Sequence, residues 1–203
     1  DGLFTRFGKP DAGFALHVMP GAFDEVQWRT GAMTSNGTSL MVRFTGRGGH
    51  GSDPSATIDP VMMASRFVVD LQSVVSREKD PTAFGVVSIG AIHGGSAGNI
   101  IPDSVTLQGT VRSTSDVVHA KLESGVRRTA SAVAAMAGAP EPEVQLRGGV
   151  KSVMNDGQVT ERAAALLTAG LGAKARIAPA AWTAGEDYTE FVNAGVPSFY
   201  FGL

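Results

Sequence analysis

The chain has 203 residues, 43% hydrophobic and 18% charged, with a formal net charge of −2 and a pI near 6.1. That length allows one large domain or two small ones, and the composition excludes a disordered chain. The near-neutral charge leaves no electrostatic footprint for nucleic acid or an anionic membrane, no apolar run approaches the ~18 residues of a membrane span, and the lack of cysteine removes any disulfide framework or thiolate metal site.

The opening residues DGLFTRF carry neither Met nor a signal-peptide pattern, and the closing FYFGL stops inside an apolar run. Both ends are therefore expected to be cut from something longer. Residues 12–19, AGFALHVM, suit a buried strand stopped by Pro20 and Gly21, and 25–30 suit another short strand. TSNGTS at 34–39 reads as a linker, and its Asn36-Gly37-Thr38 is formally a glycosylation acceptor. From there Leu40, Val42 and Phe44 alternate with Met41, Arg43 and Thr45, the pattern of a half-buried strand. The stretch 46–60, GRGGHGSDPSATIDP, surrounds His50 with Gly46, Gly48, Gly49 and Gly51. These glycines are expected to leave the loop loose and to let its backbone take left-handed conformations. Asp59 can cap a helix with Pro60 in its first position. Val61, Ala64, Phe67, Val68, Leu71 and Val75 then recur at helical spacing, which predicts a helix over 60–77.

Residues 83–92 read as a strand, and Val105, Leu107, Gly109 and Val111 mark another. A helix follows over 115–137, capped by Ser115, with Val118, Leu122, Val126 and Val133 near one face. EVQL at 143–146 is a last strand. Strand, helix, strand, strand, helix, strand is the ferredoxin-like split βαβ order. Beyond Gly148-Gly149-Val150 the pattern changes. A helix over 156–170, a short strand at ARIAP, a short helix at 186–194 and a strand at VPSFYFG match residues 12–19 better than the middle. The expected fold is therefore α/β, with a compact ferredoxin-like insert over about 36–150.

Several residues have a chemical and an ordinary reading. His17 ends an apolar strand beside a turn, where it is either a metal ligand or a core imidazole satisfied by backbone. His50 is either a donor that reaches out to a ligand or an incidental turn residue. Asn99, in the loop GSAGNIIPD, either pairs with a polar group of a substrate or serves the turn. Arg112 ends the strand VTLQGTVR, where it either clamps a carboxylate or is solvated. Glu186 and Asp187 follow Gly185 at a predicted helix start, where the dipole favours carboxylates and where a metal or substrate amine is the alternative. His93 and His119 have no partner legible in the sequence, and His119 is expected on the surface of its helix.

Taken together, the segments FALHVMPG, GRGGHGSDPSATIDPV, LQSVVSREKDP, SAGNIIPDSVTLQGTVRS and TAGEDYTEFVNAGVPSFYFG, in this order, resemble the M20 metallopeptidase family and specifically its amidohydrolase branch. That branch contains hippurate hydrolases, auxin-conjugate hydrolases and N-acetyl-diaminopimelate deacetylases. The resemblance covers nearly the whole chain. It implies a fragment of a two-metal α/β catalytic domain at 1–35 and 151–203, with a ferredoxin-like lid and dimerisation domain inserted at 36–150.

The resemblance implies hydrolysis of the amide bond of N-acyl amino acids, with two divalent ions (Zn, Mn, Co or Ni), a homodimer formed through the lid, and a cytoplasmic location. It makes His17 a metal ligand and His50 the lid histidine that stabilises the substrate's carbonyl oxygen, often in the partner subunit's site. Asn99 and Arg112 match the lid residues that bind the substrate carboxylate, and Glu186 matches an acidic position bordering the site. The family's Cys-Gly-His-Asp and Glu-Glu motifs and its last histidine ligand are not within 1–203, so the chain by itself is expected to be inactive. Two alternatives stand beside this reading: a dipeptidase or aminopeptidase of the same superfamily, and a non-catalytic dimerisation or binding module.

Overall fold

The structure, a computed structural model, describes residues 2–19 and 23–203. Pro20 and Gly21, read from sequence as the stop of the first strand, lie outside them. The chain divides into two compact units, Asp1–Ser35 with Val150–Leu203, and Asn36–Gly149. The first unit begins with α1 (Leu3–Phe7), β1 (Gly13–His17), β2 (Val26–Trp28) and β3 (Gly31–Ala32). The second follows with β4 (Asn36–Thr45), β5 (Gly49–His50), α2 (Pro60–Ser73), β6 (Gly85–His93), β7 (Ile100–Ile101), β8 (Ser104–Ser113), α3 (Asp116–Met136) and β9 (Glu143–Val150). The chain then returns to the first unit as β10 (Met154–Asn155), α4 (Gly157–Leu171), β11 (Ala175–Ile177), α5 (Thr189–Asn193) and β12 (Ser198–Gly202).

In the second unit a four-stranded sheet runs in the order β6-β8-β4-β9, with β8 antiparallel to both β4 and β6. The first and third strands of the βαββαβ order are central, which is the ferredoxin-like arrangement. Leu40, Val42 and Phe44 of β4 and Leu107 and Val111 of β8 face α2 and α3, where Phe67, Leu71, Leu122 and Val126 close the core. Phe44 and Phe67 meet edge to face at 5.7 Å. Asp59 caps α2 by accepting from the N–H groups of Val61 and Met62.

Residues 36–39 are not a linker but the first residues of the ten-residue strand β4. Asn36 is buried and its Nδ2 donates to Asp116 Oδ1 at 3.0 Å, so the glycosylation acceptor is an internal hydrogen-bonding residue. The α-helix stops at Ser73 and continues as a π turn over Val74–Glu78; Met63 and Val74 are buried while Val61 is exposed. Ser115 occupies the N-cap of α3 without a side-chain cap, its carbonyl accepting from Ser113 Oγ at 3.0 Å. His119 is not a surface residue: its Nε2 contacts Thr38 Oγ1 at 2.7 Å and Glu123 Oε1 at 3.3 Å, and its Nδ1 contacts Ser113 Oγ at 3.1 Å.

The first unit holds a four-stranded sheet in the order β1-β12-β2-β11. β1 is parallel to β12 and β2 to β11, while β12 meets β2 antiparallel at Gly202 and Gln27. Val26, Trp28 and Phe199 pack against Val159, Ala163 and Leu167 of α4. Met33, Val153, Ala178 and Tyr200 form a separate cluster with Trp182 and Tyr188. β1 is an edge strand with Phe14 62% and Leu16 49% exposed, not the fully buried strand its apolar run suggests. No helix among the described residues is long and apolar enough to cross a membrane.

The interlock of Phe67 with Phe44 predicts a large effect of truncation. Phe67→Ala should destabilise the second unit by about 3–5 kcal/mol, read from the midpoint of denaturant unfolding.

Candidate functional site

The glycine loop of the second unit is tightly clamped rather than loose. On one side Arg47 pairs with Ile58 through Arg47 N–H to Ile58 O at 3.0 Å and Ile58 N–H to Arg47 O at 2.9 Å. On the other side β5 pairs antiparallel with β7, placing His50 opposite Ile100. Gly46 N–H donates to Asp103 O at 2.8 Å, and Gly48 N–H donates to Asp103 Oδ1 at 2.9 Å. Gly46, Gly48, Gly49 and Gly51 are not among the glycines with positive φ. The reason for glycine is close approach: a Cβ on Gly46 would lie 2.0 Å from Ile58 O, and one on Gly48 2.5 Å from Ile101 O.

His50 is exposed at the end of β5. Its Nδ1 lies 2.7 Å from Ser52 Oγ and 3.2 Å from the backbone nitrogen of Ser52. A backbone N–H only donates, so Nδ1 accepts and the neutral ring carries its proton on Nε2. The ring therefore presents an N–H donor. Asn99 is exposed in the facing segment, and its carbonyl accepts from Gly51 N–H at 2.8 Å. The β5–β7 pairing thus brings the segments of His50 and Asn99 together. Arg112 sits in β8 opposite Gly37 and Val86. Strand alternation puts it on the sheet face opposite the buried Val111 and Ser113.

In the first unit His17 lies at the end of β1, paired with Gly202 of β12. Its Nδ1 is 2.7 Å from the carbonyl oxygen of Val18. A carbonyl only accepts, so Nδ1 carries a proton, and in the neutral ring the lone pair is on Nε2, the arrangement found in metal-ligating histidines. Glu186 lies in the loop before α5, and its Oε2 accepts from Tyr200 Oη at 2.6 Å. Burial pushes the Glu186 carboxyl up. The Tyr200 hydroxyl, which donates to it, the neighbouring Asp187 side chain, the Tyr188 N–H and His17 when protonated together outweigh it and hold the carboxyl below its usual range. Burial, followed by the neighbouring Glu186 carboxylate, pushes the Tyr200 phenol well above its ordinary value. Tyr200 is itself fixed by Asn155, whose Nδ2 donates to Tyr200 O at 2.8 Å and whose Oδ1 accepts from Tyr200 N–H at 2.6 Å.

His17 and Glu186 thus belong to the first unit, and His50, Asn99 and Arg112 to the second. Among the described residues no three His, Cys, Asp or Glu side chains cluster as a metal site requires. Sequence reasoning missed Tyr200 and Ser52. Tyr200 gives no signal, being an aromatic within an apolar strand. Ser52 gives a weak one, a hydroxyl residue two positions after a histidine.

Residues 33–136 match the peptidase dimerisation domain of M20 proteins. The chain is 40% identical over 135 residues to the hippurate hydrolase of Campylobacter jejuni, covering 66% of this chain and 35% of that protein. It is 32% identical over 202 residues to the N-acetyldiaminopimelate deacetylase of Streptococcus suis, covering 96% of this chain and 52% of that protein. Among solved structures, one described as an aminohydrolase of methicillin-resistant Staphylococcus aureus superposes with a TM-score of 0.86 at 29% identity, covering 99% of this chain and 51% of its own. A Bacillus subtilis M20-family peptidase described as dinuclear metal-binding superposes with a TM-score of 0.72 at 25% identity, covering 95% of this chain and 47% of its own. The chain spans about half the length, or less, of these relatives.

The Tyr200–Glu186 bond generates a pH prediction. Because the Glu186 carboxyl is lowered on folding, its contribution to stability is present above the unfolded carboxylate pKa and is lost as pH falls through the lower folded value. Tyr200→Phe removes the hydroxyl donor, so the Glu186 pKa should rise toward the ordinary carboxylate value, measured by carboxyl carbon chemical shifts across an acid titration.

Proposed function

Because the chain belongs to the M20 peptidase family, we propose that its residues form part of a metal-dependent amidohydrolase that cleaves the amide bond of N-acyl amino acids. The relatives named hippurate hydrolase and N-acetyldiaminopimelate deacetylase support that substrate class. The observation that carries the reading is the His50 ring, exposed on a clamped loop with Nδ1 accepting and Nε2–H free to donate. A donor so held serves a carbonyl oxygen that gains negative charge during acyl transfer, and it needs no reorganisation at that moment. Arg112 and Asn99 bind the carboxylate of the amino acid part, Arg112 through its planar fork, and so fix which bond is presented.

His17 is one ligand of a pair of divalent ions, drawn from Zn, Mn, Co or Ni, through the lone pair on Nε2. The donor chemistry of that nitrogen fits the role, whereas the described residues as a set do not complete a metal centre. Homodimerisation through the lid at residues 36–150 and a cytoplasmic location belong to the same proposal, with no nucleic-acid or membrane partner. A second reading, a dipeptidase or aminopeptidase, is favoured by Glu186, a carboxylate held in its charged form that suits a free substrate amine.

Three measurements test the proposal. The 203-residue chain with added Mn²⁺ or Zn²⁺ should not turn over an N-acyl amino acid, and turnover would show that its own residues suffice. In a protein joining these residues to a complete ligand set, His50→Ala should lower kcat by about 10²-fold, and Arg112→Ala should chiefly raise KM. A near-normal kcat in His50→Ala removes the donor role. Preference for dipeptides over acetyl- or benzoyl-amino acids selects the second reading, and no turnover of either leaves a dimerisation module.

A further inference from the structure

We propose that Ser52 is the positioning residue of His50, holding the imidazole in one orientation with its Nε2–H directed outward. The inference rests on the reading of His50 as a substrate-facing donor. An exposed imidazole left to itself samples several rotamers and carries its proton on either nitrogen. Ser52 offers Nδ1 two groups at once, Oγ at 2.7 Å and the backbone nitrogen at 3.2 Å. If the hydroxyl were to accept from Nδ1–H instead, that proton would face the Ser52 N–H. Only the arrangement in which both groups of Ser52 donate satisfies every hydrogen.

The backbone holds Ser52 beside Nδ1. Asp53 N–H donates to His50 O at 2.9 Å, closing a turn over residues 50–53 with Ser52 in its third position. Gly51 N–H donates to Asn99 O at 2.8 Å and ties that turn to the facing segment. A Cβ on Gly51 would lie 3.2 Å from Asn99 O, a close approach that favours glycine there. The pairing of His50 with Ile100 fixes the backbone from which the ring projects. Ring, hydroxyl and turn therefore form one unit whose function is orientation. Ser52 does not itself contact a substrate in this scheme.

Long-range proton–nitrogen correlation spectra of the labelled 203-residue chain test this, recorded at about pH 8.5, two units above the ordinary histidine pKa, so that the rings are neutral. In the unsubstituted chain, His50 should show an unprotonated Nδ1 and side-chain couplings of a single rotamer. His17 should show the opposite tautomer and serves as the internal reference. Ser52→Ala removes the shorter hydrogen bond while keeping the backbone N–H. It should shift the His50 proton ratio toward Nδ1–H by about fivefold, the worth of one hydrogen bond, and average the couplings, with His17 unchanged. Ser52→Thr, which keeps the hydroxyl, should restore both.

The proposal is overturned if His50 is protonated on Nδ1 in the unsubstituted chain. It is overturned equally if Ser52→Ala leaves the ratio and couplings unchanged, or if Ser52→Thr behaves as Ser52→Ala does. If His50→Ala retains kcat while these spectra behave as stated, the functional reading fails and the positioning by Ser52 stands.

Discussion

The close backbone approach between residues 46–51 and their two flanking segments is the constraint on which the second unit's site depends. Residues 56–58 lie on one side and 99–103 on the other, and each makes direct backbone hydrogen bonds to the loop. Side chains at Gly46 and Gly48 would collide with carbonyl oxygens at 2.0 and 2.5 Å. Backbone cannot retreat as a flexible side chain can, so the loop closes only with glycine there. His50 inherits its position from that closure. A residue that looks isolated in sequence is therefore set by two flanking segments, one of them about fifty residues away along the chain.

The two histidines show how a neighbouring backbone group decides chemistry. At His17 a carbonyl beside Nδ1 places the proton there and leaves a lone pair on Nε2. At His50 a backbone N–H beside Nδ1 does the reverse and leaves Nε2–H as a donor. The same neutral side chain thus offers a lone pair in one unit and an N–H donor in the other. Neither arrangement needs a buried ring, because both rely on residues next or next but one in sequence.

Much of this was legible from the residues. The alternation of Leu40, Val42 and Phe44 and the helical recurrence of Leu122 and Val126 located the core of the second unit, because burial imposes the period of each element. The reading of residues 36–39 as a linker failed since turn-prone types such as Asn36 and Ser39 follow local preference only when nothing distant competes. Here Asp116 and the β8 ladder do compete, and the strand extends. The glycine loop was misread for a related reason. A glycine marks either unusual backbone angles or close approach, and only the neighbours across space distinguish the two. Tyr200 was invisible because its role depends on Glu186 meeting it through the fold, 14 residues away along the chain.

The first unit carries a further electrostatic consequence. His17 ends β1, and the adjoining strand β12 carries Tyr200, whose hydroxyl donates to Glu186. That hydrogen bond stabilises the charged carboxylate, so the negative charge persists to lower pH than an ordinary glutamate would allow. His17 already acts on Glu186 as a positive neighbour when protonated. The Tyr200 bond thus keeps Glu186 ionised and oriented within the first unit.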